Sequence, residues 1–377
     1  MNPADTKPNY ADYLQIDRIL SAQAPLSSST GRPAHDEMLF IIVHQTYELW
    51  FKQILHEIDS VLDMFAGRTV DENRISTAVA RIGRITEIQR LLIEQIAILE
   101  TMTPLDFLDF RNLLTGASGF QSAQFRLIEN KLGLRPETRV TYGEAPYGAH
   151  LCPHVRGTVE AAAAAPTFFD LVEDWLERTP FLSFGTFNFV ASYQAAHARM
   201  VAGEKNAIDA ATALSPEERR TRHTMLDHSS EYAHRVLSPE GYAGLRASGA
   251  VRLSYPAFMA VLFIHLYRDQ PILHAPFRLL AGLIQLDEYF EVWRHRHALM
   301  VSRMIGAKMG TGGSTGHTYL AGTIEKHRIF GDLFAVSTLL IPRAELPPLP
   351  PDLETRLGFY FSTAAQPTSA PLTLGGE

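Results

Sequence analysis

The chain has 377 residues, of which 46% are hydrophobic, and a formal net charge of -7 with a sequence pI near 6.1. This length forms one large domain or two ordinary ones, and the acidic balance argues against nucleic-acid or anionic-membrane partners, which require clustered Lys and Arg. A single cysteine, Cys152, excludes an intramolecular disulfide and is typical of a reducing compartment, so we expect a cytoplasmic location. No secretory signal is predicted, nor any membrane span of about 18 apolar residues.

Two long helices are predicted after the N-terminal segment. Apolar residues recur every three or four positions between 39 and 65, and a second stripe of the same period runs between 75 and 99. Asp36 is a candidate N-cap for the first helix, because its side-chain oxygen can accept a backbone amide. We expect the two helices to pack antiparallel.

The next predicted helices are shorter. Thr103 before Pro104 predicts the start of the helix PLDFLDFRNLL, and SGFQSAQFRLIENKL predicts another that ends at Gly133. Turn residues and an alanine run between 136 and 166 favour a loop region. Ser215 before Pro216 predicts a further helix start. The remaining predicted helices lie at 167–177, 189–201, 255–267 and 277–305.

The pattern as a whole predicts an all-α fold, a large helical domain built on long antiparallel helices, because no run of alternating strand residues competes with the helical periods. We expect an arm with short helices over residues 1–35 and a main domain over 36–345. Within that domain, 140–235 is expected to be helical and is the segment that the family resemblance described below covers less well. A proline-rich tail over 346–377 is predicted to be irregular and extended.

Two histidines fall on apolar helix faces. His44 lies inside FIIVHQTYELWF, and His297 shares a face with Trp293 and Met300 at helical spacing. A single inward histidine is usually a hydrogen-bonded core residue. The pattern alone therefore favours a core role for both, with a ligand or base role as the alternative. His295 faces another side of its helix and cannot bind the same ion.

Two loops contain possible ligand-binding residues. The segment HLCPH around Cys152 has clustered zinc-ligand types but lacks a fourth partner. The loop GTGGSTG at 310–316 departs from the dinucleotide and Walker patterns and follows a helix instead of a strand. It is interpreted either as a flap that closes on a small ligand, with Thr311 and Ser314 as donors, or as an exposed turn.

Arg111 extends from an otherwise apolar stretch of the helix PLDFLDFRNLL. Its guanidinium presents a fixed fork of N–H donors that matches a carboxylate in two places, a common way to bind amino acids. A structural ion pair with Asp106, Asp109 or Glu48 is an equal alternative.

Several long motifs, in one order along nearly the whole chain, resemble the tryptophan 2,3-dioxygenase family. They are LFIIVHQTYELWFKQILHE, TPLDFLDFRNLLTGASGFQSAQFRLIE, RLSYPAFMAVLFI and WRHRHALMVSRMIGAKMGTGGSTGHTYL, and the resemblance extends from YADYLQIDRILSAQ to the IPR before the tail. It implies an all-α, haem-dependent homotetramer, a dimer of dimers, with 36–345 as the catalytic domain. The implied reaction inserts both atoms of O₂ across the indole C2–C3 bond of L-tryptophan, giving N-formyl-L-kynurenine, the first step of the kynurenine pathway.

The resemblance also implies roles around the haem. His297 matches the proximal ligand of the iron of haem b, one per subunit and ferrous in the active form. His44 matches the distal histidine that meets the indole N–H. The other residues implied to line the cofactor or substrate pocket are Phe40, Ile41, Ile42, Val43, Phe107, Ser118 and Trp293.

Recognition of the amino-acid part is implied by further matches. Arg111 matches an arginine that pairs with the substrate carboxylate, and Thr311 matches a threonine that contacts its ammonium. Tyr10 and Tyr13 match tyrosines on an arm that reaches the neighbouring subunit's pocket. Two positions depart from the commoner pattern: Phe107 is tyrosine in some members, and Thr315 replaces a serine.

Three alternatives remain at the level of the sequence. One is a related haem oxygenase that acts on a modified indole or inserts one oxygen atom, because motifs transfer fold better than substrate. The second is a non-catalytic haem protein that senses O₂ or tryptophan. The third is a helical interaction protein without a cofactor.

Overall fold

The structure is a computed structural model that describes residues 9–67, 69–114, 119–139, 151–306, 308 and 316–358, without the side chains of 72, 120, 316–319 and 325. These residues are almost entirely helical, apart from an antiparallel hairpin of β1 (Ser183–Phe184) and β2 (Phe187–Asn188). The predicted all-α class is confirmed. The helices are α1 (Tyr10–Leu14), α2 (Ile16–Leu20), α3 (Glu37–Phe65), α4 (Glu72–Leu99), α5 (Pro104–Arg111), α6 (Ala123–Leu132), α7 (Pro153–Ala164), α8 (Phe168–Glu177), α9 (Phe189–Ala210), α10 (Pro216–Leu237), α11 (Pro239–Ala247), α12 (Tyr255–Leu266), α13 (Pro271–Ile305), α14 (Gly316–Lys326), α15 (Gly331–Ala335) and α16 (Pro351–Leu357).

Helices α3 and α4 pack antiparallel, as the two apolar stripes predict. The Tyr47 hydroxyl donates to the Leu92 carbonyl at 2.5 Å near one end, and Arg84 pairs with Glu57 at 2.6 Å further along. The later residue of α3, Glu57, contacts the earlier residue of α4, Arg84, so the two helices run in opposite directions. The buried stripes of the two helices form much of the core.

The start of α3 is held differently from the prediction. Asp36 is the N-cap residue, but its side chain accepts no amide of the helix. The neighbouring carboxylate of Glu37 is buried and instead accepts the backbone N–H groups of Leu26 and Ser27 at 2.8 and 2.9 Å. This contact ties the N-terminal segment to the first turn of α3.

Helix α13 runs through the centre and packs against α4 and α14. It begins at Pro271, six residues before the predicted start at 277, and accommodates Pro276 inside its second turn. Gly282 allows the close approach of α4, since a Cβ there would lie 3.1 Å from the side chain of Ile82. The position of α13 matters because it carries His297.

Two segments are more ordered than predicted. The region 136–166, interpreted as a loop, contains helix α7, because alanine is the best helix former and Pro153 occupies the first helical position. The tail, predicted to be extended, contains α16, whose Leu353 and Leu357 are fully buried. Both helices begin with proline in the first turn, a local signal for a helix start, whereas the overall composition of these segments predicted irregular structure.

The two helices of the N-terminal arm contribute nothing to the core. Helices α1 and α2 contain no buried residue, and Leu20 is 73% exposed. The chain rejoins the body near Gln23, which donates to Gln45 of α3 at 2.7 Å. Among the described residues, no helix has both the length and the apolar character needed to cross a bilayer.

Candidate active site

His44 lies on α3 with its imidazole orientation fixed by its own helix. Its Nδ1 is 2.7 Å from the carbonyl oxygen of Phe40, one turn earlier. A carbonyl only accepts, so Nδ1 carries the hydrogen and Nε2 of the neutral ring is left as an acceptor. Although the side chain remains accessible to solvent, surrounding protein desolvates it and lowers its pKa. The imidazole is thus neutral and offers an accepting Nε2 beside the ring of Phe40.

Aromatic rings join α3 to α5 beside His44. The Phe40 ring lies 5.8 Å from the ring of Phe107 and 5.6 Å from that of Phe110, centroid to centroid. Phe40 and His44 are four residues apart on α3, as are Phe107 and Arg111 on α5, so each pair shares one helix face. The imidazole of His44 on α3 and the guanidinium of Arg111 on α5 therefore each lie one helical turn from the contact between Phe40 and Phe107.

Helix α5 is held by a capping box. The Thr103 side chain accepts the Asp106 amide, and the Asp106 carboxylate accepts the Thr103 amide at 2.9 Å and its hydroxyl at 2.6 Å. These bonds lower the pKa of Asp106. The Glu48 carboxylate accepts the Gln124 amide at 2.8 Å. Two of the carboxylates considered as structural partners for Arg111 are thus engaged by other groups.

His297 is partly buried on α13, between the ring of Trp293, 5.2 Å away, and the site on α3. Burial, together with the charges of His44 and Arg294, lowers its pKa to about 4. Among the described residues, the buried Nδ1 of His297 has no hydrogen-bond partner.

These features fit a haem. The low pKa keeps the His297 imidazole neutral, which axial ligation to iron requires, and an unsatisfied buried ring nitrogen is costly in a purely structural residue. No group of three or more His, Cys, Asp or Glu side chains that could hold a bare metal ion occurs within the described part of the chain. A haem would need only one side chain of this protein, His297, to hold its iron.

The structure separates the predicted pocket residues into groups. Phe40, Ile41 and Phe107 are partly buried near His44, whereas Val43 is 3% exposed and belongs to the core. Ile42 is 43% exposed and lies about 200° around the helix from His44. The predicted contacts of Ser118 and Thr311 lie outside the described residues. Tyr10 and Tyr13 are 77% and 75% exposed in their own chain.

Trp293 packs into a cluster of rings behind His297. Its ring lies 5.2 Å from that of Phe125 on α6 and 6.3 Å from that of Tyr47 on α3. Tyr47 is buried with its hydroxyl on the Leu92 carbonyl, and burial raises its pKa to about 12. This packing fixes the helix turn that presents the imidazole of His297.

A buried charge cluster behind the site was missed by the sequence analysis. Its centre is Glu129 on α6, 2% exposed, and one of its cations is Arg294, three residues before His297. The sequence does show charged residues on the inward faces of α6 and α13, and this pattern could have indicated buried ion pairs. Their pairing spans 165 residues of sequence, so the pattern could not reveal it.

Comparisons with known proteins agree over nearly the whole chain. A family model described as tryptophan 2,3-dioxygenase matches residues 3–340. A tryptophan 2,3-dioxygenase of Bdellovibrio bacteriovorus is 49% identical over 353 residues, covering 94% of this chain and 98% of that protein. One from Dictyostelium discoideum is 44% identical, covering 94% and 88%, and a tryptophan 2,3-dioxygenase B of Danio rerio is 43% identical, covering 91% and 84%.

Proposed function

The chain belongs to the tryptophan 2,3-dioxygenase family, and we propose that it uses O₂ to cleave the indole C2–C3 bond of L-tryptophan, giving N-formyl-L-kynurenine and opening the kynurenine route of tryptophan breakdown. The observation that carries this function is the family match over residues 3–340, and the site supports it with two imidazoles on different helices, His44 and His297, whose pKa values burial lowers. One suits the cofactor, and the other suits the indole.

His297 would hold the iron of one haem b per subunit, which would be ferrous in the active form. Its neutral ring offers a lone pair to iron, and Trp293 and the packed helix hold the ring in place. When bound, the haem supplies the binding and activation of O₂. Trp293 and Ser118 are proposed to lie beside the macrocycle.

His44 is proposed to orient the indole. With hydrogen fixed on Nδ1, its Nε2 accepts the indole N–H of the substrate. Phe40 and Phe107 offer apolar surface to the ring, while Ile41, Ile42 and Val43 form the rest of the apolar helix stretch. An apolar enclosure strengthens the hydrogen bond and keeps water from the reacting ring.

Arg111 and Thr311 are proposed to recognise the amino-acid part of the substrate. The guanidinium of Arg111 pairs with the carboxylate at two points, and the Thr311 hydroxyl accepts from the ammonium. Fixing both groups holds the indole in one place relative to the haem, which is the main contribution that a protein makes to such a reaction.

The arm, residues 1–35, is proposed to complete the pocket of a neighbouring subunit in a homotetramer, a dimer of dimers. The support is that α1 and α2 bury nothing in their own chain, while Tyr10 and Tyr13 expose large aromatic surfaces. Residues 36–345 form the catalytic domain in this proposal, followed by the tail at 346–377.

We place the protein in the cytoplasm. The support is the single free and exposed cysteine, Cys152, which suits a reducing compartment.

The decisive experiment combines a spectrum with a product mass. Purified protein is reduced without O₂, its haem band is recorded, and O₂ and L-tryptophan are then added. We expect a haem spectrum that changes with tryptophan and a product heavier by two oxygen atoms. A product with one added oxygen, or turnover only of a modified indole, supports the related oxygenase. Ligand binding without product supports the sensor, and a colourless protein supports a cofactor-free role.

A further inference from the structure

Glu129 joins four basic side chains inside the protein. Its carboxylate accepts Arg126 at 2.9 Å, Arg139 at 3.0 Å and Arg294 at 2.9 Å, and it lies 3.4 Å from Nδ1 of His327. Burial alone would raise the pKa of Glu129, but the four basic partners hold it well below its ordinary value. The carboxylate therefore stays charged and attracts all four groups.

The partners of Glu129 belong to the segments that carry the proposed site. Glu129 lies on α6, which begins five residues after Ser118 in the sequence. Arg294 lies on α13, less than one turn before His297. His327 follows α14, and α14 begins directly after the glycine-rich loop that contains Thr311. One carboxylate thus connects α6, the helix that carries His297 and the end of α14.

The segment after α14 is also fastened from other directions. Asp287 of α13 accepts the amides of Ile329 and Phe330 at 2.9 and 2.5 Å. Arg252 donates to the Ile329 carbonyl at 3.0 Å. The downstream end of α14 is therefore a rigid anchor, and Glu129 ties that anchor to α6 as well as to α13.

A purely stabilising role is a weak explanation for this cluster. Burying an ion group costs desolvation energy, and well-packed apolar residues of similar volume often stabilise a fold equally well. An ion cluster instead specifies one relative position of the elements that it joins. That property matters where a substrate is held between them, because small displacements at a site reduce activity strongly.

We infer that Glu129 is a positioning residue for the tryptophan pocket: it holds α6, the turn of α13 that carries His297 and the end of α14 in one relative position. This inference rests on the proposed function. It goes beyond that function by assigning a role to a residue that touches neither haem nor substrate.

The test compares two buried glutamates. Glu129→Gln keeps the shape and removes the charge. Glu57→Gln is the matched control, since Glu57 is also 2% exposed and ion-paired, but lies about 20 Å along α3 from His44. For both variants we measure unfolding by denaturant, haem content, tryptophan affinity per bound haem, kcat and KM, and amide exchange of the haem-free chain.

We expect both variants to lose stability, and only Glu129→Gln to lose tryptophan affinity, by about tenfold or more, with faster amide exchange in α14. Equal affinity per haem in the two variants would overturn the inference. If Glu129→Gln does not fold, His327→Leu removes the contact of the segment after α14 with Glu129 alone, and tryptophan affinity equal to that of the wild type in this variant would also overturn the inference. If the wild-type protein forms no product, the proposed function is wrong. Amide exchange of the two variants still shows whether Glu129 positions α14.

Discussion

The imidazole of His44 and the backbone of Phe40 fix one another: Nδ1 donates to the Phe40 carbonyl at 2.7 Å, and the two rings lie 4.1 Å apart between centroids. The hydrogen bond sets the tautomer, and the ring contact limits rotation of the side chain. The acceptor at Nε2 is therefore already formed in the ligand-free chain. Substrate binding does not have to pay for orienting it.

Replacing His44 should remove a specific hydrogen bond to the indole. We expect His44→Ala to weaken binding of L-tryptophan by about 1–2 kcal/mol, the range for one buried hydrogen bond. N1-methyl-tryptophan lacks the donor, so the preference of the wild type for tryptophan over this analogue should shrink in the variant. Competition binding with both ligands measures this, and an unchanged preference would contradict the assignment.

Arg111 should act on the carboxylate of the substrate. Arg111→Ala is expected to weaken tryptophan binding by about 1.5–3 kcal/mol, as for the loss of a charged hydrogen bond. Tryptamine has no carboxylate, so its affinity should change much less. The control is Arg90→Ala, which removes an exposed arginine paired with Glu87. Equal losses for tryptophan and tryptamine would place Arg111 in a structural role instead.

His297 should decide whether haem is retained. We expect His297→Gly to lose most of its haem, and added imidazole to restore part of the haem band by filling the vacated position. His295→Ala is the matched control, because His295 is exposed and faces another side of α13. Haem content per subunit, measured after gel filtration, checks the result. Full haem occupancy and normal activity in the glycine variant would refute the ligand assignment.

The arm gives a prediction about two subunits. Removing residues 1–21 should reduce activity far more than the free energy of unfolding, because α1 and α2 bury nothing in their own chain. Coexpression with full-length Arg111→Ala should restore activity, since the arm of the Arg111→Ala subunit completes the intact pocket of the truncated one. Activity that stays at the sum of the two separate variants argues against an exchanged arm.

Local sequence signals predicted the framework of this fold and not its buried polar contacts. The apolar periods of α3, α4 and α13 and the caps at Thr103 and Ser215 depend on neighbours within a few residues, so the sequence predicts them. The roles of His44 and His297 depend on an approach between distant helices, and only a family resemblance suggested them. The partners of Glu129 come from four parts of the chain, and no local pattern joins them.

The buried carboxylate of Asp287 predicts that the stability of the fold depends on pH, independently of His44 and His297. Its carboxylate is 4% exposed, and burial raises its pKa to about 6, although the amides of Ile329 and Phe330 favour the charged form. In the unfolded chain the value is about 3.9. Between these values the folded state binds more protons, so the contribution of Asp287 to stability is full below about pH 4 and is lost as the pH rises through about 6.

Asp287→Asn keeps an oxygen acceptor for both amides and cannot become charged. The free energy of unfolding of this variant, minus that of the wild type, should therefore increase by up to about 3 kcal/mol between pH 4 and pH 7. Urea unfolding of the haem-free proteins at several pH values measures the difference, with the exposed Asp63→Asn as control for removal of a carboxylate. A difference that does not change with pH would mean that Asp287 is charged in the fold at no cost, and that its amide contacts fully offset its burial.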